Sequence, residues 1–197
     1  MNNIPIQSAE TADTLLTALG EQIRRQGFSF EILVVGGSAL LALGLIARPT
    51  RDIDLVGVRV ADAVHSAQPL PEPLAQARDR VARDFGLPAD WLNAGAADLV
   101  HLGLPSGFVE RAERRSYGPG LTVLFASRVD QIHLKLYATA DQGPGKHEQD
   151  LRRLTPTRNE LIEAARWSRT HDPSDGYLHQ LRLVLEALGV SDADLSV

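Results

Sequence analysis

The chain has 197 residues, a formal net charge of −5 and no cysteine, and 44% of its residues are hydrophobic. The lack of cysteine excludes a disulfide scaffold and thiolate zinc sites, and the mildly acidic charge gives no electrostatic reason for tight general binding to nucleic acid. Because no apolar run reaches the length of a membrane span and the first residues lack a signal-peptide pattern, we expect a soluble, cytoplasmic protein.

The first third of the chain predicts helix, strand, helix and strand in that order. Apolar residues recur at helical spacing over 14–25, and Gly27 follows as a stop signal. Residues 32–35 predict a short buried strand, and the apolar helix at 37–43 follows directly. The next strand is predicted at 52–58. A strand, a helix and a second strand therefore open the main domain.

The remaining elements predict a mixed α/β (α+β) fold. In chain order we expect a loop at 67–73, a helix at 74–85, strands at 99–104 and 121–125, a helix after Ser127, a short helix at 147–154, a helix opened by the Thr157/Glu160 capping box, and a last helix at 177–188. A chain of this length can bury about 70% of its unfolded surface, enough for one core. We therefore predict a single domain over 1–197, in which helices flank a mixed sheet (core about 28–154) and a C-terminal helical bundle (about 157–189) follows.

Two aspartates mark the start of the second strand. Asp52 and Asp54 are two residues apart, so on a strand their side chains point to the same face. Two neighbouring carboxylates repel each other and are tolerated best when a cation lies between them. The pattern therefore favours a metal site at Asp52 and Asp54. The spacing alone does not indicate a metal site, because Asp192 and Asp194 have the same spacing and are assigned no role.

A turn of small residues precedes these aspartates. Backbone N–H groups at Gly36 and Gly37, with the hydroxyl of Ser38, are suited to hold the phosphates of a nucleotide, although glycine there also allows a tight strand-to-helix turn. Arg48 and Thr50, between the turn and the aspartates, either contact phosphate or brace the loop. The glycines are not followed by the lysine of a P-loop and do not form the G-x-G-x-x-G of a dinucleotide fold.

The order of these strings resembles that of a known superfold. Gly-Gly-Ser-Ala-Leu at 36–40, a spacer and Asp-Ile-Asp-Leu at 52–55 resemble the minimal nucleotidyltransferase superfold. More closely, with Asp-Trp-Leu-Asn at 90–93, Lys-Leu-Tyr-Ala at 135–138 and the segment 146–151, the chain resembles small bacterial proteins related to the AbiEii and MenT toxins of toxin–antitoxin systems. The resemblance extends from about residue 32 to residue 154.

This resemblance implies an enzyme that uses Mg²⁺ or Mn²⁺ to transfer a nucleoside monophosphate from an NTP to an acceptor hydroxyl. The implied acceptor is a tRNA 3′ end or a protein, and the implied partner is a cognate antitoxin. It also implies that Lys135, together with Ser38, holds the leaving pyrophosphate and that Asp150 orients or deprotonates the acceptor. Lys135 lies within an apolar helical pattern, where a lysine must extend to solvent or meet an anion.

Two departures from the family pattern keep another function open. The strand at 121–125 lacks the third carboxylate that nucleotidyltransferases usually carry, for which Asp98 is a weaker candidate. The Asp-x-x-Asp that ends the toxin pattern reads His147-x-x-Asp150 here, and a histidine cannot add negative charge to a magnesium site. The alternative is a catalytically weak module that binds nucleotide or a partner protein. An antibiotic-modifying enzyme would need an acidic pocket that the sequence does not locate.

Overall fold

The computed structural model describes residues 6–191, so Asp192 and Asp194 lie outside the described residues. The mixed α/β class is confirmed, with helices and one mixed sheet. The helices are α1 (Ala9–Arg25), α2 (Gly36–Ala42), α3 (Glu72–Phe85), α4 (Asp98–Leu102), α5 (Phe108–Arg111), α6 (Arg128–Gln142), α7 (Lys146–Arg153), α8 (Arg158–His171) and α9 (Asp175–Ala187). The strands are β1 (Phe30–Val35), β2 (Ile53–Val60), β3 (Ala63–Ser66), β4 (Leu92–Asn93), β5 (Glu113–Ser116) and β6 (Leu121–Phe125).

The strand β1 lies in the middle of the sheet, whose order is β3-β2-β1-β6-β5, with β4 paired to β2. It runs parallel to β6 and antiparallel to β2. The register pairs Val35 with Asp54, and an extra residue, Val56, is inserted where the pairing passes from Val34 to Leu33. Such a β-bulge locally bends and twists its strand. The end of β1 thus lies directly beside Asp54 of β2.

Helix α1 covers part of the sheet and contacts α2, α3 and β6. Its buried side chains include Leu16, Leu19 and Ile23, which follow the helical spacing predicted from the sequence. The helix begins earlier than predicted, because the hydroxyl of Ser8 accepts a hydrogen bond from the backbone N–H of Thr11 at 3.2 Å and caps the first turn. Helices α2 and α4 also contact the sheet, at β2.

One strand prediction is wrong. Residues 99–104 do not form a strand, since Asp98–Leu102 forms the helix α4, which ends at Gly103 with φ +101°. A short apolar run does not distinguish a strand from one turn of helix, so its periodicity was ambiguous. Strands β3, β4 and β5 were not predicted from the sequence, because they are four residues long or fewer and β5 is largely charged.

The chain divides into two compact units, Met1–Ser127 and Arg128–Val197. The first contains the whole sheet, and the second contains α6, which contacts α7, α8 and α9. The predicted capping box of α8 is present: Thr157 accepts from the backbone N–H of Glu160, whose side chain accepts from that of Thr157. The extent of a single domain over 1–197 stays a prediction. Over residues 6–191, none of the helices has both the length and the apolar character needed to cross a membrane.

Candidate nucleotide and metal site

The two aspartates lie where β2 begins: Asp52 directly precedes the strand and Asp54 is its second residue. Asp52 and Asp54 are half-buried, whereas Ile53 and Leu55 between and after them are 1% and 0% exposed. This alternation is what a strand with one face towards the core produces, because successive side chains point to opposite faces. The carboxylates therefore lie on the more accessible side of β2, as the metal-site hypothesis requires.

The glycine turn packs against one of these carboxylates. Gly36 has φ +74°, and a Cβ placed on it would lie 2.6 Å from Oδ2 of Asp54. A side chain at this position would therefore have to displace the carboxylate, in addition to adopting a backbone conformation that favours glycine. A Cβ on Gly37 would lie 3.0 Å from Oγ1 of Thr50 and 3.6 Å from Nη2 of Arg48. The structure thus brings the turn, the loop residues and Asp54 to one place.

The hydroxyls of Ser38 and Thr50 are buried and already make hydrogen bonds. Ser38 is 1% exposed and donates to the carbonyl of Val35 at 3.3 Å, and Thr50 is 7% exposed and donates to the carbonyl of Asp52 at 3.3 Å. Two backbone hydrogen bonds with Ile6, of 2.8 and 3.1 Å, also hold Thr50. These contacts brace the loop, so a phosphate contact from either hydroxyl stays a prediction.

Arg48 lies on the same loop. The residue is half-buried, and its guanidinium approaches Gly37 and donates from Nη1 to the carbonyl of Pro49 at 3.4 Å. A guanidinium next to a glycine turn is suited to bind phosphate oxygens. Its contact with a nucleotide stays a prediction.

The strand β4 adds a residue that the sequence analysis did not single out. Ile53 donates its backbone N–H to the carbonyl of Trp91 at 2.7 Å, and the side-chain Nδ2 of Asn93 donates to Oδ2 of Asp52 at 3.1 Å. A two-residue strand gives no periodic signal. In the sequence, Asn93 is part of the string at 90–93 that contributes to the resemblance to the toxin family, but no role was predicted for its amide.

A cleft of about 670 Å³ opens beside Asn93. This volume lies within the usual range for small-molecule sites, which is about 300–1,000 Å³. Asp98, the sequence candidate for a third carboxylate, is exposed at the first residue of α4 and lines this cleft together with Arg78 and Asn93. Asn93 therefore connects this cleft with Asp52, because it lines the cleft and donates a hydrogen bond to that carboxylate.

The other two predicted site residues lie in the second unit and pair with each other. Nζ of Lys135 on α6 lies 2.9 Å from Oδ2 of Asp150 on α7, and the two side chains are 6% and 0% exposed. His147 lies three residues before Asp150, hence on the same side of α7, and is half-buried. The roles of Lys135 and Asp150 towards a nucleotide stay predictions.

The carboxylates of Asp52 and Asp54 fit a Mg²⁺ ion whose other ligands come from the substrate and from water. Over residues 6–191, no group of three or more histidine or acidic side chains is arranged to hold a metal ion, so no third such side chain joins Asp52 and Asp54. Mg²⁺ is commonly bound through one or two carboxylates plus substrate phosphates and waters. A Cβ on Gly36 would lie 2.6 Å from Oδ2 of Asp54, so this carboxylate lies directly against the backbone of the glycine turn. Comparison of the chain with protein-family models, curated proteins and solved structures gave no match.

Proposed function

We propose that the protein is a Mg²⁺-dependent nucleotidyltransferase, which transfers a nucleoside monophosphate from an NTP to an acceptor hydroxyl on a tRNA 3′ end or a protein, as the toxin of a toxin–antitoxin pair. The observation that carries the proposal is the close approach of Gly36 to Asp54, together with the position of Asp52 directly before the same strand. A turn without side chains beside two carboxylates provides a surface for a metal-bound triphosphate.

In this proposal each residue has a separate role. Asp52 and Asp54 hold the metal, and the metal, when bound, neutralises charge on the triphosphate. Gly36 and Gly37 give the phosphates close access to the backbone, and Arg48 binds a phosphate oxygen. The acceptor oxygen forms a bond to the α-phosphorus, the bond to pyrophosphate breaks, and the hydroxyl proton passes to a base. The resemblance implies that Lys135 holds pyrophosphate and that Asp150 accepts that proton, and both roles stay predictions.

The buried ion pair of the second unit favours a second function, that of a binding module. Lys135 and Asp150 are almost wholly buried and neutralise each other at 2.9 Å, which is the arrangement of a structural ion pair. Together with the lack of a carboxylate on β6, this supports a catalytically weak module that binds nucleotide or a partner protein. Such a module would keep the metal and phosphate surface of Asp52 and Asp54 but would transfer nothing.

The test uses the purified protein with each α-³²P-labelled NTP, Mg²⁺ and total tRNA. We expect label on RNA or on the protein itself with the unmodified chain, and a loss of label of at least about 100-fold in Asp52→Asn/Asp54→Asn, because removing both charges removes the metal. The matched control is Asp62→Asn/Asp84→Asn, which removes the same charge from two exposed positions of the same unit.

The outcomes separate the two functions. Retained transfer in a folded Asp52→Asn/Asp54→Asn protein, checked by circular dichroism, would show that these aspartates are not the metal ligands. If no donor gives label while Mg²⁺-dependent nucleotide binding is measurable by calorimetry and is lost in the same variant, the chain is the non-catalytic module.

A further inference from the structure

The side-chain amide of Asn93 is held at both ends. Its Oδ1 accepts a hydrogen bond from the backbone N–H of Gly95 at 2.7 Å, and its Nδ2 donates to Oδ2 of Asp52 at 3.1 Å and to the carbonyl of Asp90 at 3.5 Å. A backbone N–H can donate only to the oxygen of an amide, so the contact with Gly95 fixes which side of the amide faces Asp52. Asn93 can therefore offer Asp52 only a donor.

We infer that Asn93 is a positioning residue, which fixes the carboxylate of Asp52 in the orientation that binds the divalent metal. This inference rests on the proposed function. A ligating carboxylate is oriented by the groups that hydrogen-bond to it, and loss of such a group commonly weakens metal binding by about 10- to 100-fold. Asn93 occupies one lone pair of Oδ2 and leaves the remaining lone pairs of Asp52 for a metal.

The hydrogen bond from Gly95 to Asn93 depends on the absence of a side chain at position 95. A Cβ on Gly95 would lie 2.9 Å from Oδ1 of Asn93, closer than carbon and oxygen normally approach. A side chain at position 95 would therefore require the amide of Asn93 to shift, and we expect this shift to weaken its hydrogen bond to Asp52. Glycine at position 95 thus helps to orient the amide of Asn93 towards Asp52.

The experiment measures Mn²⁺ binding by the electron paramagnetic resonance signal of free Mn²⁺, which requires no turnover. The unmodified protein is compared with Asn93→Ala, Gly95→Ala and Asp52→Asn, and circular dichroism confirms that each is folded. Gln68→Ala is the control, because Gln68 is an exposed amide that lines the same cleft. We expect Asn93→Ala and Gly95→Ala to weaken Mn²⁺ binding by about 10- to 100-fold, and Gln68→Ala to leave it within about twofold.

Failure of this inference and failure of the proposed function give different results. If the unmodified protein binds Mn²⁺ in a way that Asp52→Asn abolishes, yet Asn93→Ala and Gly95→Ala bind it equally well, the positioning role is overturned and the metal site stands. If Asp52→Asn binds Mn²⁺ as the unmodified protein does, the metal site of the proposed function is overturned, and the role of Asn93 with it.

Discussion

Lys135 and Asp150 form an ion pair that is almost wholly removed from solvent, with 6% and 0% of the side chains exposed. We expect Asp150→Ala to destabilise the fold by about 3–5 kcal/mol, because it leaves the ammonium of Lys135 buried without its carboxylate. The double variant Lys135→Met/Asp150→Leu should lie within about 1 kcal/mol of the unmodified protein or be more stable, because both desolvated charges are gone. Urea unfolding followed by circular dichroism measures both free energies.

The same double variant separates a structural pair from a catalytic one. A stable protein with undiminished nucleotide transfer would show that the pair only supports the fold. A stable protein that has lost transfer but still binds Mn²⁺ would place Lys135 and Asp150 in the reaction. If Asp150→Ala costs less than about 1 kcal/mol, the pair contributes little to stability and the prediction is wrong.

Gly36 and Gly44 allow the carboxylate contact to be separated from backbone strain. Both have positive φ, +74° and +68°, but a Cβ on Gly36 would meet Asp54, whereas one on Gly44 would meet no described atom within 4 Å. We expect Gly36→Ala and Gly44→Ala to lose similar stability, about 1–2 kcal/mol, since the carboxylate is the far end of a side chain and can move. Only Gly36→Ala should weaken Mn²⁺ binding, which electron paramagnetic resonance measures.

If both alanine variants bind Mn²⁺ like the unmodified protein, the contact between Gly36 and Asp54 has no bearing on the metal. If both lose binding equally, the effect comes from the strained backbone and not from the carboxylate. Either result would remove the observation that carries the proposed function.

At the scale of elements, hydrogen bonds of Arg128 connect α6 with the N-terminus of α8 in the second unit. The guanidinium of Arg128 on α6 makes two hydrogen bonds to the carboxylate of Glu160, of 2.6 and 3.3 Å, and also donates to the carbonyls of Leu154 and Thr155. The hydrogen bonds from Arg128, and then those from Thr157, hold the pKa of Glu160 below its usual range. One carboxylate therefore joins α6 to the capped end of α8.

The lowered pKa of Glu160 predicts how stability depends on pH. The folded state favours the ionised carboxylate, so this stabilisation is present above the ordinary pKa of about 4.3 and is lost as the pH falls through the lower folded value. Glu160→Gln can keep the capping hydrogen bond through its amide oxygen, but it removes the charge and one acceptor for Arg128. We expect it to cost about 1 kcal/mol at pH 7 and less below pH of about 4. Urea unfolding at several pH values measures the difference.

The control for this prediction is Glu163→Gln, which removes an exposed carboxylate from the same helix. It should change the free energy of unfolding by less than about 0.5 kcal/mol at either pH. A cost of Glu160→Gln that stays constant between pH 7 and pH 3.5 would mean that the charge of Glu160 does not stabilise the fold.

The elements show how far the sequence alone could predict this fold. Long amphipathic helices such as α1, α3 and α9 were predicted because their apolar periodicity repeats over several turns. The bulge at Val56 was not predicted, since buried apolar residues surround it and give no break in the pattern. The short strand β4 is held by tertiary pairing with β2, which no local pattern encodes.

The same difference holds for the candidate site. Asp52, Asp54 and the glycine turn could be proposed from spacing, because their chemistry is local to one strand and one turn. Asn93 could not, since its contact with Asp52 spans 41 positions of sequence and depends on how β4 pairs. The burial of Lys135 with Asp150 was likewise beyond the sequence pattern, which shows an apolar helix but not which anion its lysine meets.

At the scale of the whole molecule, each compact unit carries its own apolar core and one tryptophan. Trp91 of the first unit is 1% exposed, and its indole N–H donates to the carbonyl of Arg78 at 3.1 Å. Trp167 of the second unit packs edge-on against His171, with ring centroids 4.3 Å apart. The chain has two tryptophans, so Trp167→Phe and Trp91→Phe each leave one fluorophore that reports on one unit.

These probes test whether the units unfold together. We expect Glu160→Gln to lower the urea midpoint reported by Trp167 in the Trp91→Phe protein, and to leave the midpoint reported by Trp91 in the Trp167→Phe protein unchanged, because Arg128 and Thr157, which bind Glu160, belong to its own unit. The transition seen by Trp167 should also have the smaller m-value, since the smaller unit exposes less surface on unfolding. Coincident transitions that Glu160→Gln shifts equally would instead establish one cooperative domain, as the sequence predicts.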